Sequence, residues 1–314
     1  MALRFAFLGI FLSFIGYGQS QDSTYLVGFS DKITLRSSLQ NTSNNFTIKD
    51  KLTREKTEFI PNDKSYLSVS VLFRAVELSI GYAPNFLTEN KDNADSKLVT
   101  LNFRMFSKQF MQTVDYYKQV GFTVRTQDFT LPVQDLKTLK IGGSTSYIFN
   151  PNFSFRAITS QSEWQKKSTG SFIPGVSYNF TKFKLEDPVF ENRLEQSLNI
   201  AIGPGYYYNW VFDENYILSA GSTGGLGMNI NRFEKRTTVN GLAQLIFRLK
   251  GGYNSESFFS GITINTQLLT RTSADEIVLN DSISFLEFYL GYRFNAPKKW
   301  IEKAEELNRK FGLN

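Results

Sequence analysis

The side chains behind most enzyme chemistry at neutral pH are missing here: the 314 residues include no His and no Cys. Without them there is no Ser-His-Asp or Cys-His constellation, no ordinary general base near pH 7, no disulfide and hardly any route to a transition-metal site. What remains is charge. Carboxylates stand together at Glu305-Glu306, Asp275-Glu276 and Asp92/Asp95. Glycosidase or calcium chemistry needs convergent geometry or a dense ligand loop that this spacing does not supply, so solvated loop charge is expected. Gly221-Ser222-Thr223-Gly224-Gly225 has the composition of a phosphate cradle but lies in an alternating strand pattern without a P-loop Lys, which points to small residues making interior space. The largest candidate set lies on the polar faces of strand-like segments: Arg104, Lys140, Arg156, Arg248, Lys250 and Arg293 against Glu77 and Glu287. Pointing into a barrel, these form either a basic stripe favouring anionic solutes or a paired filling of a closed interior. The paired filling is the expectation, because a buried charge needs a partner. No enzyme activity, no cofactor and no metal are expected.

The elements that position these charges are strands. Phe (30), Tyr (15) and Gly (22) are abundant, yet hydrophobic residues reach only 41% and mean hydropathy is -0.26, the average that alternating strands produce. Leu67, Val69, Val71 and Phe73 alternate with Ser68 and Ser70; Val76, Leu78, Ile80 and Tyr82 with Glu77, Ser79 and Gly81; Val99, Leu101 and Phe103 with Thr100 and Asn102. The same period of two recurs through Leu198–Ile202, Leu226–Ile230 and Ile262–Leu268, and it ends with Phe288, Leu290, Tyr292 and Phe294 against Glu287, Gly291 and Arg293. A soluble sandwich turns such greasy faces together, whereas a transmembrane barrel turns them to lipid. Three features favour the barrel. Segments such as Ser197 to Trp210 and Tyr216 to Phe233 are long enough to span, aromatics gather near strand ends at Tyr206 to Phe212, and the polar face is rich in Gly and small residues.

The N-terminus has a single Arg4, an apolar run from Phe5 to Ile15 and the small-x-small triplet Gly16-Tyr17-Gly18. This is expected to be a cleavable export signal, since eleven residues are too few for a helix across a bilayer of roughly 30 Å. The formal charge of +6 is too small for this length to argue for nucleic acid. Turns are expected at Pro61-Asn62-Asp63, Asn150-Pro151-Asn152, Phe212 to Asn215 and Gly251-Gly252-Tyr253-Asn254, and longer connections near 84–96, 118–136, 186–193 and 271–282. Strict up-and-down alternation does not put short and long connections on opposite sides, so no loop is assigned to a side. After Ala296-Pro297, the stretch Lys298 to Phe311 spaces Trp300, Ile301, Ala304, Leu307 and Phe311 as one amphipathic helix. It packs on the rim, lies at the membrane surface or docks on another envelope protein.

The run from Leu139 to Arg156 (LKIGGSTSYIFNPNFSFR), with Trp164 to Phe172 (WQKKSTGSF) and Asp31 to Arg36 (DKITLR), resembles an uncharacterised family of Bacteroidetes-type outer-membrane barrels, a domain of unknown function. The resemblance covers residues 25 to 300. It implies a barrel in the bacterial outer membrane and carries over no functional residue. The organisation expected is a signal peptide (1–18), a transmembrane antiparallel β-barrel (19–295) of about 12 strands, with 10 to 14 open, and a helical tail (296–314). Its expected partners are outer-membrane lipid, the barrel-insertion machinery and, through Trp300, Ile301, Leu307 and Phe311, another envelope protein. Two functions fit: a channel or solute-binding barrel, or a structural or assembly subunit of an envelope complex. A continuous wet interior favours the first, and a plugged interior with an apolar patch on the wall or tail favours the second.

Overall fold

The computed structural model describes residues 24–50, 53, 55–61, 65–84, 86–87, 97–159, 162–185, 193–233, 236–272 and 277–311; the expected signal peptide lies outside them. In chain order the strands are β1 (Leu26–Gly28), β2 (Lys32–Asp50), β3 (Lys56–Pro61), β4 (Ser65–Phe73), β5 (Val76–Tyr82), β6 (Lys97–Ser107), β7 (Phe110–Arg125), β8 (Thr130–Tyr147), β9 (Glu163–Gln165) and β10 (Thr169–Phe172). They continue with β11 (Gly175–Leu185), β12 (Arg193–Gly203), β13 (Gly205–Phe212), β14 (Tyr216–Phe233), β15 (Arg236–Asn254), β16 (Phe258–Thr272) and β17 (Ile277–Asn295). Two helices are described, α1 (Arg156–Thr159) and α2 (Lys298–Phe311). Neither is long and apolar enough to cross a membrane, which says nothing of a barrel.

Among the described residues, a ring of 12 antiparallel strands closes on itself. The wall runs β2, β4, β5, β6, β7, β8, β11, β12, β14, β15, β16 and β17, and β17 pairs back onto β2 from Ile277↔Asp50 to Asn295↔Lys32. Closure leaves no strand edge in lipid. Two spans are each split by a proline. Register sets Gly175 against Gly203 and Phe172 against Tyr206, so Pro174 and Pro204 fall opposite each other. Each accepts through its carbonyl, from Tyr147 N and Gly224 N, at 3.0 Å, but gives its neighbour no donor in return. The expected strand Ser197 to Trp210 is thus β12 and β13 in sequence, broken at Pro204.

The two ends of the barrel differ. Where the chain enters β2 and leaves β17, the connections at Arg74-Ala75, Lys108-Gln109, 213–215 and 255–257 are tight. The non-glycine residues described with positive φ are all here: Arg74 (52°), Lys108 (51°), Asp213 (47°) and Glu214 (54°). The same end carries residues 148–159 and 162–168 between β8 and β10, and the first of these folds back into the mouth. That return is why loop length alone did not sort the two sides. At the far end β3 bridges β2 (Phe46↔Phe59) and β7 (Phe59↔Val124), above the shorter β4–β6. The expected connection near 118–136 is corrected: it is largely the ends of β7 and β8 around a tight turn at 126–129. Residues 271–282 are likewise strand up to Thr272 and again from Ile277.

The outer face is apolar in a soluble protein's terms and appropriate to lipid. Leu78, Ile80, Leu101, Ile200, Ile264 and Leu290 are 39 to 59% exposed, whereas Ser79 and Asn199 on the opposite parity are buried. Phe110, Phe172, Tyr206, Trp210, Phe212, Tyr216, Phe258 and Tyr292 form an exposed aromatic girdle at the tight-turn end. With an apolar outside and a polar inside, the molecule is an outer-membrane β-barrel. Ile264 lies mid-strand on that face, between Leu249 and Leu286. Ile264→Arg is expected to destabilise the barrel by about 2–4 kcal/mol, because a charge there loses its water. Asn265→Arg, which faces inward, is expected to be milder. Urea unfolding in lipid vesicles measures both, and equal losses would reverse the assigned faces.

Candidate functional site: a closed polar chamber

Side chains of inward parity fill the barrel in layers. At the tight-turn end the polar face turns apolar: Phe106, Met111, Ile173 and Tyr207 from the wall pack with Ile148, Phe153, Phe155 and Ile158 from the returning segment. Hydrophobic burial holds the segment in, and polar contacts fix its path. Buried Gln165 accepts from Ser154 N at 2.8 Å, and Asn209 Nδ2 donates to Ser154 O at 3.0 Å. β9 pairs with β1, so the N-terminal strand of the described chain is knitted to the same plug. Arg156 lies here, on α1, and is paired with Glu163 at 2.9 Å. The expectation that it lines the wall is corrected: it stands on the inserted segment.

Beneath the plug lies a paired charge layer. Arg36 binds Glu287 at 2.6 Å and approaches Glu77 at 4.0 Å, while Arg104 binds Glu77 at 3.1 Å. Gln40 Nε2 donates to Glu287 at 2.9 Å and Ser79 to Glu77 at 3.2 Å. Three wall cations reach the plug and its rim. Arg36 Nη1 donates to Thr159 O at 3.4 Å, Lys250 Nζ donates to Ala157 O, and Arg293 Nη2 donates to Asn254 Oδ1 at 2.7 Å while stacking 4.0 Å from the Phe29 ring centroid. Buried cations are thereby satisfied by carbonyls as well as carboxylates.

The next level is open. A cavity of about 300 Å³ lies mid-barrel, with Arg104, Asp115, Lys140, Arg248, Asn265 and Ser177 in its lining. It exists because one wall is built from Gly142, Ser144, Gly175, Ala201, Gly203 and Gly225, which send little into the lumen. The far side of the cavity is closed by a second charged layer, with Lys140 on Asp281 at 3.1 Å and Arg271 3.8 Å from the same carboxylate. Above it, Phe46, Phe59 and Phe183 meet with ring centroids 5.6 to 6.3 Å apart, and Arg271 sits under Phe46. Only about 40 Å³ remains between these rings and the ion pair.

The eight lumen charges expected from sequence thus lie inside or at the mouth, seven of them on the wall. Arg36, Arg271 and Asp281 complete the charged layers and Asp115 lines the chamber between them, and parity marks each of the four, since they alternate in phase with Thr34, Gln267, Ile283 and Thr113. The plug receptor had a signal too: Phe106 and Met111 are apolar residues on the polar parity, close to strand ends. Of the tail, Trp300 packs on Phe73 (6.2 Å) and Glu305 pairs with Arg74 (3.3 Å), with Trp300 half exposed and Ile301 half-buried. The side chains of Leu307 and Phe311 lie outside the described residues. The carboxylate pairs at 92/95 and 275/276 do so as well, and no cluster of metal-ligating side chains occurs among the described ones.

Outside the membrane, two exposed carboxylates tie the plugged end. Lys166, beside β9, bonds Glu214 at 2.9 Å and Trp164 Nε1 donates to Glu214 O at 2.8 Å; Lys32 bonds Glu256 at 2.8 Å. The hydrogen bond from each lysine holds its partner carboxyl below the usual range. A depressed carboxyl keeps its tie above the unfolded value and loses it as pH falls through the folded one. Closure is therefore expected to be unchanged from neutral pH down to about 5 and to weaken only below the ordinary carboxylate range near 4. Proteolysis of residues 160–168 against pH measures this, and Glu214→Gln should remove part of the acid step.

No curated protein is similar to the chain in sequence. Solved structures with a similar fold include the outer-membrane protease OmpT from Escherichia coli, at 7% identity over 85% of this chain and 98% of that chain, with a TM-score of 0.43. OprG from Pseudomonas aeruginosa matches at 10% identity, 85% and 97% coverage and a TM-score of 0.25. The P. putida toluene transporter TodX matches at 7%, 85% and 90% coverage and 0.23. The sequence pattern is more specific than these likenesses: from residue 20 to 294 it matches the model of a domain of unknown function, DUF4421, and the chain belongs to that family.

Proposed function

We propose that the protein is a non-enzymatic solute-binding barrel that passes small polar molecules by opening and does not conduct at rest. One observation carries this reading: the interior is filled and ion-paired at both ends, yet keeps a polar chamber of about 300 Å³ between them. A barrel serving only as a scaffold gains stability from a filled interior, whereas a chamber with a few convergent polar and charged groups among apolar lining is the usual form of a small-molecule site. Its discontinuous interior does not suit a standing pore. Proteoliposomes test this: small polar solutes should be taken up while ionic conductance stays at baseline. A steady ionic current would make the protein an open channel, and absence of both uptake and binding would remove the reading.

A structural or assembly role is the second reading, favoured by α2, whose Trp300 is held at the rim with half its surface free. Crosslinking from Trp300 to another envelope protein, lost when α2 is removed, is its expected mark.

A further inference from the structure

The charges around the chamber are not all spent on one another. Arg104 is paired with Glu77 and Lys140 with Asp281. Among the described residues, Arg248 and Asp115 have no ion-pair partner within 4.0 Å and no hydrogen bond from another side chain; the guanidinium of Arg248 lies over the face of Phe155, at 5.2 Å. They stand on β15 and β7, on opposite walls of the ring, with the chamber between them. Asn265, the register partner of Arg248, turns an Oδ1 into the interior with no hydrogen bond at all. A cation and an anion thus face one chamber from opposite walls.

The electrostatics of that space are specific. A simple anion satisfies Arg248 and leaves Asp115 facing its charge; a simple cation does the reverse. A molecule with a carboxylate at one end and an ammonium at the other satisfies both, because charge-assisted hydrogen bonds form at each end and the site stays neutral. We infer that the chamber binds a small zwitterion of the amino-acid class, its carboxylate on Arg248 and its ammonium on Asp115, with Asn265 assisting beside Arg248. This rests on the binding-barrel reading above.

Equilibrium dialysis of the folded, detergent-purified full chain tests it with three matched probes: L-serine, 3-hydroxypropionate (serine without the amine) and ethanolamine (serine without the carboxylate). Serine should bind roughly tenfold or more tightly than either truncated probe, the ratio expected when one charge-assisted contact is lost. Arg248→Gln should erase the preference over ethanolamine, and Asp115→Asn the preference over 3-hydroxypropionate. Each variant thus loses one discrimination and keeps the other, which general unfolding cannot imitate. Equal binding of 3-hydroxypropionate and serine would overturn the assignment, as would serine affinity untouched by both variants. If none of the three binds while proteoliposomes still take up glycerol, the zwitterion assignment falls and the passage reading stands; if uptake is absent too, both fall.

Discussion

Removing residues Pro151–Ser168 behind a short glycine turn, together with Phe183→Ala and Arg271→Ala, is expected to turn a barrel silent in planar bilayers into a conducting one. The deletion takes out Phe153, Phe155 and Ile158, three of the eight residues of the apolar cluster that shuts the tight-turn end, and frees β1 from its pairing. The wall should survive, because Asn150 already lies against Gly170, with its Nδ2 2.8 Å from that carbonyl, so a short turn can join β8 to β10. At the far end, loss of Phe183 breaks the ring trio, and loss of Arg271 leaves Asp281 still held by Lys140, so no buried carboxylate is stranded. Either change alone leaves one end closed and should conduct little. Mobility with and without heating confirms that each variant is folded. A folded combined variant without current would mean that other layers close the lumen, and current through the intact chain would mean that the plug does not.

Truncation before Ser284 should give no folded barrel, whereas truncation after Asn295 should give one that is still heat-modifiable. The shorter product loses the part of β17 that pairs with β16 from Phe258 to Thr266 and with β2 from Lys32 to Ser43. It would leave two rows of unpaired backbone in lipid, each group costing several kcal/mol. It also loses Glu287, the partner of Arg36, and Arg293, which anchors Asn254. The longer product loses only α2 and its rim contacts, Trp300 on Phe73 and Glu305 on Arg74. If the longer product also fails to fold, α2 belongs to the barrel's stability and the partner reading loses its motivation.

The wall was legible in the sequence because a period of two is a local signal. Leu290 faces lipid and Glu287 the lumen for the same reason that adjacent side chains leave a strand on opposite faces, and the last strand follows from that pattern; the tail helix Lys298–Phe311 shows instead as helical spacing, and the ring of 12 agrees with the chain length per spanning strand. What was not legible depends on contacts between distant residues. Nothing local says that 148–159 returns into the mouth; its Phe153, Phe155 and Ile158 are buried only because Phe106, Met111 and Tyr207 wait on three separate strands. The matched breaks at Pro174 and Pro204 likewise need the register before they can be seen as one feature. Of the lumen charges, those on clear alternating runs were found. Asp115 was missed within a stretch where Tyr116, Tyr117 and Lys118 blur the alternation.

The closed chamber itself is tested most directly by a thiol placed inside it, since the chain has no native Cys. Ser177 lines the chamber and bonds Gln244 at 2.8 Å, so Ser177→Cys puts a single reactive group there with little change in volume. In intact protein reconstituted in vesicles, a small charged methanethiosulfonate should label it slowly from either side. Labelling should be faster by about a hundredfold once Pro151–Ser168 is deleted, as expected when local opening costs a few kcal/mol. Labelling of the intact barrel as fast as that of the deletion variant would contradict a chamber closed by the inserted segment.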